Sequence, residues 1–155
     1  MLKILFVCTG NTCRSPMAEA LFNAQLANYR LPFAVSASSA GLSAFPGEKA
    51  SGAVQQLLQN EGIEPGNHYA VNIDAAMIRD TDLIFVMTED HRRQLILRFP
   101  DAAGKAYLLK SFAGMTQAGC DIEDPFGSGL EKYQSVLEEI RTCVKKVILI
   151  IKEGI

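Results

Sequence analysis

This 155-residue chain contains no CxxC pair, no block of like charge, no low-complexity linker and no internal repeat. Each absence removes a class of protein. The two histidines, His68 and His91, lie in separate segments, and without CxxC a zinc site has no ligand pattern to rest on. Fifteen Lys and Arg against 17 Asp and Glu leave a net charge of −2, so there is no basic field to attract nucleic acid. Long apolar runs are missing too. MLKILFV gives way at once to Cys8-Thr9-Gly10, too short a stretch for a signal-peptide core and far too short for a membrane span. The run VILII at 147–151 is flanked by Lys145, Lys146 and Lys152 and reads as the buried face of a terminal helix. A cytoplasmic location is the expectation, with neither membrane nor nucleic acid as partner. Nothing in the patterning argues for a dimer. In that compartment Cys8, Cys13, Cys120 and Cys143 are expected as free thiols and not as a disulfide framework.

What is present is ordinary globular material, 48% hydrophobic and 21% charged, sufficient for one core in one domain expected over 1–155. The apolar periodicity alternates between two kinds. Strand-like runs occupy 2–7 (LKILFV), 33–39 (FAVSASS), 82–87 (DLIFVM) and 105–109 (KAYLL). Helical spacing occupies 16–28, 48–61, 73–80, 89–98 and a long stretch from 130 to 151, with a polar, glycine-containing loop over 113–129. Such alternation predicts an α/β fold, a four-stranded parallel sheet with helices on both faces. Ligands of such sheets bind beyond the carboxyl ends of the strands.

The stretch VCTGNTCRSP begins at one of those ends. Cys8 and Arg14 stand in a C-x5-R pattern, and Ser15-Pro16 follows, with proline favoured in a first helical turn. Backbone N–H groups over 8–15 can then converge on an anion at a helix N-terminus. Arg14 adds a planar fork that matches two phosphate oxygens. The same positive surroundings favour the thiolate of Cys8, a nucleophile placed beneath a bound phosphoryl group. Thr9, Gly10 and Thr12 complete the loop; Gly10 permits close backbone approach, and Asn11 tolerates left-handed geometry. Ser15 is placed to donate to the Cys8 sulfur. The nucleotide-binding pattern GxxxxGK[ST] is absent, since no lysine accompanies the loop. Cys13 allows two readings, a redox partner that captures an oxidised Cys8 or a small residue packed under the loop. Thiol rescue of the peroxide-inactivated protein, compared with Cys13→Ser, would separate them.

VCTGNTCRSP resembles the phosphate-binding loop of the low-molecular-weight protein tyrosine phosphatases, and the resemblance covers essentially the whole chain. Length, strand–helix order, Ser39-Ala40-Gly41 and Asp124-Pro125 all fall where that family has them. The resemblance implies phosphorylated protein as substrate, a cysteinyl-phosphate intermediate, and no metal or cofactor. A proton donor for the leaving group is also required. By the residues alone, Asp124 in GCDIEDPFGSG is an Asp-Pro turn with Asp121 and Glu123 as rivals; the resemblance places the acid at Asp124. It likewise implies that Asn11 and Ser39 brace the loop and that His68 has a structural role.

The family includes tyrosine phosphatases and bacterial protein-arginine phosphatases. Tyrosine-directed members usually carry a bulky aliphatic residue where this chain has Thr12, and often two adjacent aromatics after the acid. Here Phe126 is followed by Gly127. Both positions resemble the arginine-directed branch, with Thr12, Leu42, Phe45 and Phe126 as the expected pocket wall. Phe126 with Phe45 could instead grip a phosphotyrosine ring. Thioredoxin-linked arsenate reductases share the loop but need further cysteines mid-chain, and 70–100 contains none. A phosphocarrier would need neither Arg14 nor Asp124, and a binding module would have no use for a thiolate.

Overall fold

Residues 4–8 of the first strand are buried on both faces, and the period of two sorts them. In β1 (Leu2–Cys8), Ile4, Phe6 and Cys8 pack into one hydrophobic cluster while Leu5 and Val7 pack into another. The computed structural model describes residues 1–64 and 67–154. β1 is central, pairing in parallel with β2 (Val35–Gly41) on one side and β3 (Leu83–Val86) on the other. β4 (Ala106–Leu108) pairs in parallel with β3, giving the order β2-β1-β3-β4.

The first cluster joins the sheet to α1 (Arg14–Leu26), α2 (Gly52–Asn60), the short α5 (Leu109–Phe112) and α6 (Leu130–Glu153). In α6 the side chains of Val136, Leu137, Ile140, Val144, Val147, Ile148 and Ile151 form one buried stripe. Each such buried branched side chain contributes about 1.5–3 kcal/mol. No helix among the described residues is long and apolar enough to cross a membrane. On the opposite face lie α3 (Ala75–Asp80), α4 (Glu89–Arg98) and a 3-10 turn at Pro100–Ala102, joined through Ile78, Leu95 and Ala102.

The chain leaves β1 towards β2 and later returns past it to β3, so the strand order reverses between β1 and β3. A crevice opens at such a reversal, outside the carboxyl ends. Cys8 closes β1 and Thr88 caps α4 just after β3, so the two loops that meet there are 9–13 and 87–88.

Several boundaries differ from the sequence reading for local reasons. α1 starts at Arg14, not Pro16, which puts the arginine and Ser15 in the first turn, and Pro16 third, where its missing N–H costs nothing. β2 runs two residues beyond the expected strand. α2 starts only at Gly52, because the Ser51 side chain accepts from the Val54 N–H and caps it. The expected strand at 105–109 is shorter, because Leu109 already begins α5, a single turn that leaves no periodic signal.

Candidate active site

The loop after β1 is held by Asn11. This residue is fully buried and is the one non-glycine residue with positive φ (57°) among those described. Its Nδ2 donates to Ser15 Oγ (2.8 Å) and Ser39 Oγ (3.0 Å), while Oδ1 accepts from the Val71 N–H (3.1 Å). Every hydrogen-bonding position of the amide but one acceptor lone pair is thereby used, which fixes its orientation. Because Ser15 Oγ receives a proton from Asn11, its own proton is free for Cys8 Sγ, 2.9 Å away. His68 Nε2 donates to the Asn11 carbonyl at 2.7 Å. Beneath the loop, Cys13 is buried with its sulfur 3.7 Å from the Tyr133 hydroxyl.

One backbone constraint shapes the rim. A Cβ on Gly41 would lie 2.6 Å from the Thr9 carbonyl oxygen, so only glycine lets β2 end this close to the loop. Gly10 has no such requirement within the protein, since a Cβ there would meet only Thr12 Oγ1 at 3.7 Å.

Arg14 is 4% exposed, and its Nη1 donates to the Ile122 carbonyl at 2.9 Å. This ties the 120–124 loop to the first turn of α1. Ile122 is itself buried and donates its N–H to the Met87 carbonyl (2.9 Å). The three carboxylates of this loop are thereby separated. Asp121 accepts from the Glu89 N–H at the start of α4 (2.8 Å), and Glu123 pairs with Lys132, which holds its carboxyl below the usual range. Asp124 accepts the Phe126 N–H on Oδ1 (3.0 Å) and turns Oδ2 towards Arg14 Nη2 at 3.7 Å.

These elements enclose a cleft of about 240 Å³. Cys8, Thr9, Gly10, Thr12, Cys13 and Arg14 line it from the loop, and Phe45, Asp124 and Phe126 line it from the rim. Ser15 and Ser39 lie behind the loop, buried. Leu42, expected on the pocket wall, is elsewhere. It is buried in the α3/α4-side cluster, its N–H donating to the Cys8 carbonyl and its carbonyl accepting from Arg98. The loop turns after Leu42, so Ser43 and Glu48 line the cleft instead.

Sequence reasoning missed His91. Its Nε2 lies 2.9 Å from Thr9 Oγ1, and burial together with the Arg14 guanidinium pulls its pKa down to about 4, against the opposing pull of Asp90, Asp121 and Asp124. The T-x-x-H cap of α4 (Thr88 Oγ1 accepting from the His91 N–H, 3.1 Å) was the available signal that this ring sits at a helix start beside a strand end.

A carboxyl group, a cysteine sulfur and a guanidinium lining one cleft are chemistry for phosphoryl transfer. Comparison with known proteins agrees. The profile described as low molecular weight phosphotyrosine protein phosphatase matches residues 3–154. A protein-arginine-phosphatase of Geobacillus stearothermophilus is 39% identical over 145 residues, covering 94% of this chain and 93% of the relative. The tyrosine phosphatase PtpB of Staphylococcus epidermidis is 33% identical over 147 residues, covering 94% and 96%. Among solved structures, a YwlE arginine phosphatase variant with a phosphorylated active-site serine superposes with a TM-score of 0.91 at 31% identity, covering 99% of this chain and 97% of that one. The covalent phosphoryl group in that relative fits a cysteinyl-phosphate route. The chain belongs to the low molecular weight phosphotyrosine protein phosphatase family and is a cysteine-dependent protein phosphatase.

Proposed function

We propose that this phosphatase, one catalytic domain over 1–155, prefers phosphoarginine to phosphotyrosine in cytoplasmic proteins, and that Cys8, Arg14 and Asp124 carry the reaction. Cys8 sulfur attacks phosphorus, an S–P bond forms, and the P–N or P–O bond to the substrate side chain breaks. Asp124 Oδ2 gives its proton to the departing nitrogen or oxygen. Water then attacks phosphorus, Asp124 takes a proton from it, and the S–P bond breaks to release inorganic phosphate and the thiolate. Arg14 and the N–H groups of residues 9–14 carry the charge on the non-bridging oxygens, while Ser15 donates to the thiolate between turnovers.

The observation that carries the preference is the polar wall: Thr12 lines the cleft, where an apolar side chain would suit only an aryl ring. Gly127 supports it. Its φ of +81° is a conformation glycine adopts freely, so the chain turns away after Phe126 instead of supplying a second aromatic. Arginine phosphatases at 39% and 33% identity from Geobacillus stearothermophilus and Bacillus subtilis add to it. Phosphotyrosine is the second reading, supported by Phe45 and Phe126, both more than 70% exposed on the cleft rim. A thiol-relay reductase fits less well, because burial pushes the Cys143 thiol up to about 12 while Cys120 is exposed in the 113–129 loop. The cytoplasmic assignment rests on four free cysteines, and the net charge of −2 gives no reason to expect nucleic acid.

The test is kcat/KM on matched phosphoarginine and phosphotyrosine peptides, with Cys8→Ala as the blank. A preference near 100-fold for phosphoarginine, about 2.7 kcal/mol of transition-state discrimination, is expected. A preference for phosphotyrosine would assign the pocket to Phe45 and Phe126 and make Thr12 incidental.

A further inference from the structure

His91 is a buried titratable side chain that the reaction above does not use, yet its ring bridges the two strand ends between which the cleft opens. It is 4% exposed. Its backbone N–H is committed to the Thr88 cap, and its Nε2 meets Thr9 Oγ1 at 2.9 Å. Nδ1 is buried and has no hydrogen-bond partner among the described residues. The surroundings of the two ring nitrogens decide the tautomer. A proton on Nδ1 would be a buried donor with no acceptor, whereas a bare Nδ1 lone pair is the less costly orphan. The proton therefore sits on Nε2 and is donated to Thr9 Oγ1.

Thr9 is held from a second side, since its carbonyl accepts from the Ser43 N–H at 2.9 Å. With its oxygen already receiving the imidazole proton, the Thr9 hydroxyl proton has to be donated elsewhere, and Thr9 lines the cleft. We propose that His91 is a positioning residue that fixes the first peptide of the phosphate-binding loop and turns the Thr9 hydroxyl into a donor to the bound phosphoryl group. The inference rests on assigning loop 8–14 as the phosphoryl site. It gives the histidine a role distinct from acid–base work. Arg14 disfavours the imidazolium and Asp90, Asp121 and Asp124 favour it, but desolvation dominates, so the ring stays a neutral, fixed donor from pH 5 to 8.

The experiment measures kcat, KM and the inhibition constant of inorganic phosphate for wild type, His91→Leu, His91→Gln, Thr9→Val and the His91→Leu/Thr9→Val double variant. His91→Leu should lower kcat/KM on the order of 10- to 100-fold, equally on phosphoarginine and phosphotyrosine substrates, and weaken phosphate inhibition. His91→Gln, whose amide nitrogen reaches the place of Nε2, should restore most of it. Thr9→Val should cost as much, and the double variant no more than Thr9→Val alone. The limbs of the pH–rate profile between 5 and 8 should not move. Additive losses, a glutamine as poor as leucine, or a changed melting temperature with unchanged phosphate inhibition would each overturn the proposal. Failure of the phosphatase assignment would look different, as undiminished turnover in Cys8→Ala.

Discussion

Asn11 shows how much one side chain can hold. It sits with φ at 57° and supplies hydrogen bonds to Ser15, Ser39 and the Val71 backbone without any exposure to water. Asn11→Ala should lower unfolding free energy by about 2–4 kcal/mol in urea titration, because two buried hydroxyls and the Val71 N–H lose a partner and a Cβ-bearing residue stays in left-handed geometry. Asn11→Gly should lose the same hydrogen bonds but regain about 1 kcal/mol from relieved backbone strain. Glycine no better than alanine would mean that the strain contributes nothing. The tolerance of asparagine for this geometry was legible from VCTGNTCRSP. Its partners at 39 and 71 were not equally so: Ser39 followed from family resemblance, while Val71 offers only a backbone N–H, which no side-chain pattern encodes.

Among the elements, β2 and the loop after β1 constrain each other most tightly. Gly41 ends β2 where an added Cβ would fall 2.6 Å from the Thr9 carbonyl and 3.2 Å from Asn11 Cβ. Gly41→Ala should therefore displace the loop and cost about 1–3 kcal/mol of stability, as overpacking does. Calorimetry and phosphate inhibition should both register it; a normal inhibition constant would show that the loop absorbs the clash without losing its shape. Elements of this kind divide by how much of their information is local. β1 and β3 were plain from buried apolar runs, and α6 from a stripe that repeats over 24 residues. α5, four residues long, has no period to detect. Leu42 was misassigned because a residue three positions from the rim residue Phe45 can point into the core once the chain turns, and a sequence does not state the turn. His91 was missed because its partner Thr9 is 82 residues away and only the parallel order of β1 and β3 brings the two together.

For the whole molecule, the buried imidazole links the cleft to global stability. Its folded pKa of about 4 lies below the ordinary 6.5, so the unfolded chain binds the proton first as pH falls. Folding stability is unaffected by this group above pH 6.5, decreases as pH drops from 6.5 towards 4, and is lower by about 3 kcal/mol once both states are protonated. The facing groups Arg14, Asp90, Asp121 and Asp124 remain in His91→Gln, so the difference between variant and wild type isolates the histidine. Urea titrations from pH 7.5 to 4.5 should show wild type losing stability more steeply than His91→Gln; parallel curves would contradict a neutral buried ring. The central claim, that Cys8 carries the phosphoryl group while Asp124 handles the protons, is tested most directly by trapping the intermediate. Asp124→Asn mixed with an aryl phosphate bearing a good leaving group needs no acid for the first step but lacks the base for the second. Rapid quench and peptide mass spectrometry should find a burst of the phenol, with one phosphoryl group on the peptide containing Cys8, and none in Asp124→Asn/Cys8→Ala. A phosphoryl group that persists in that double variant, or that resides on the His91 peptide, would contradict the account.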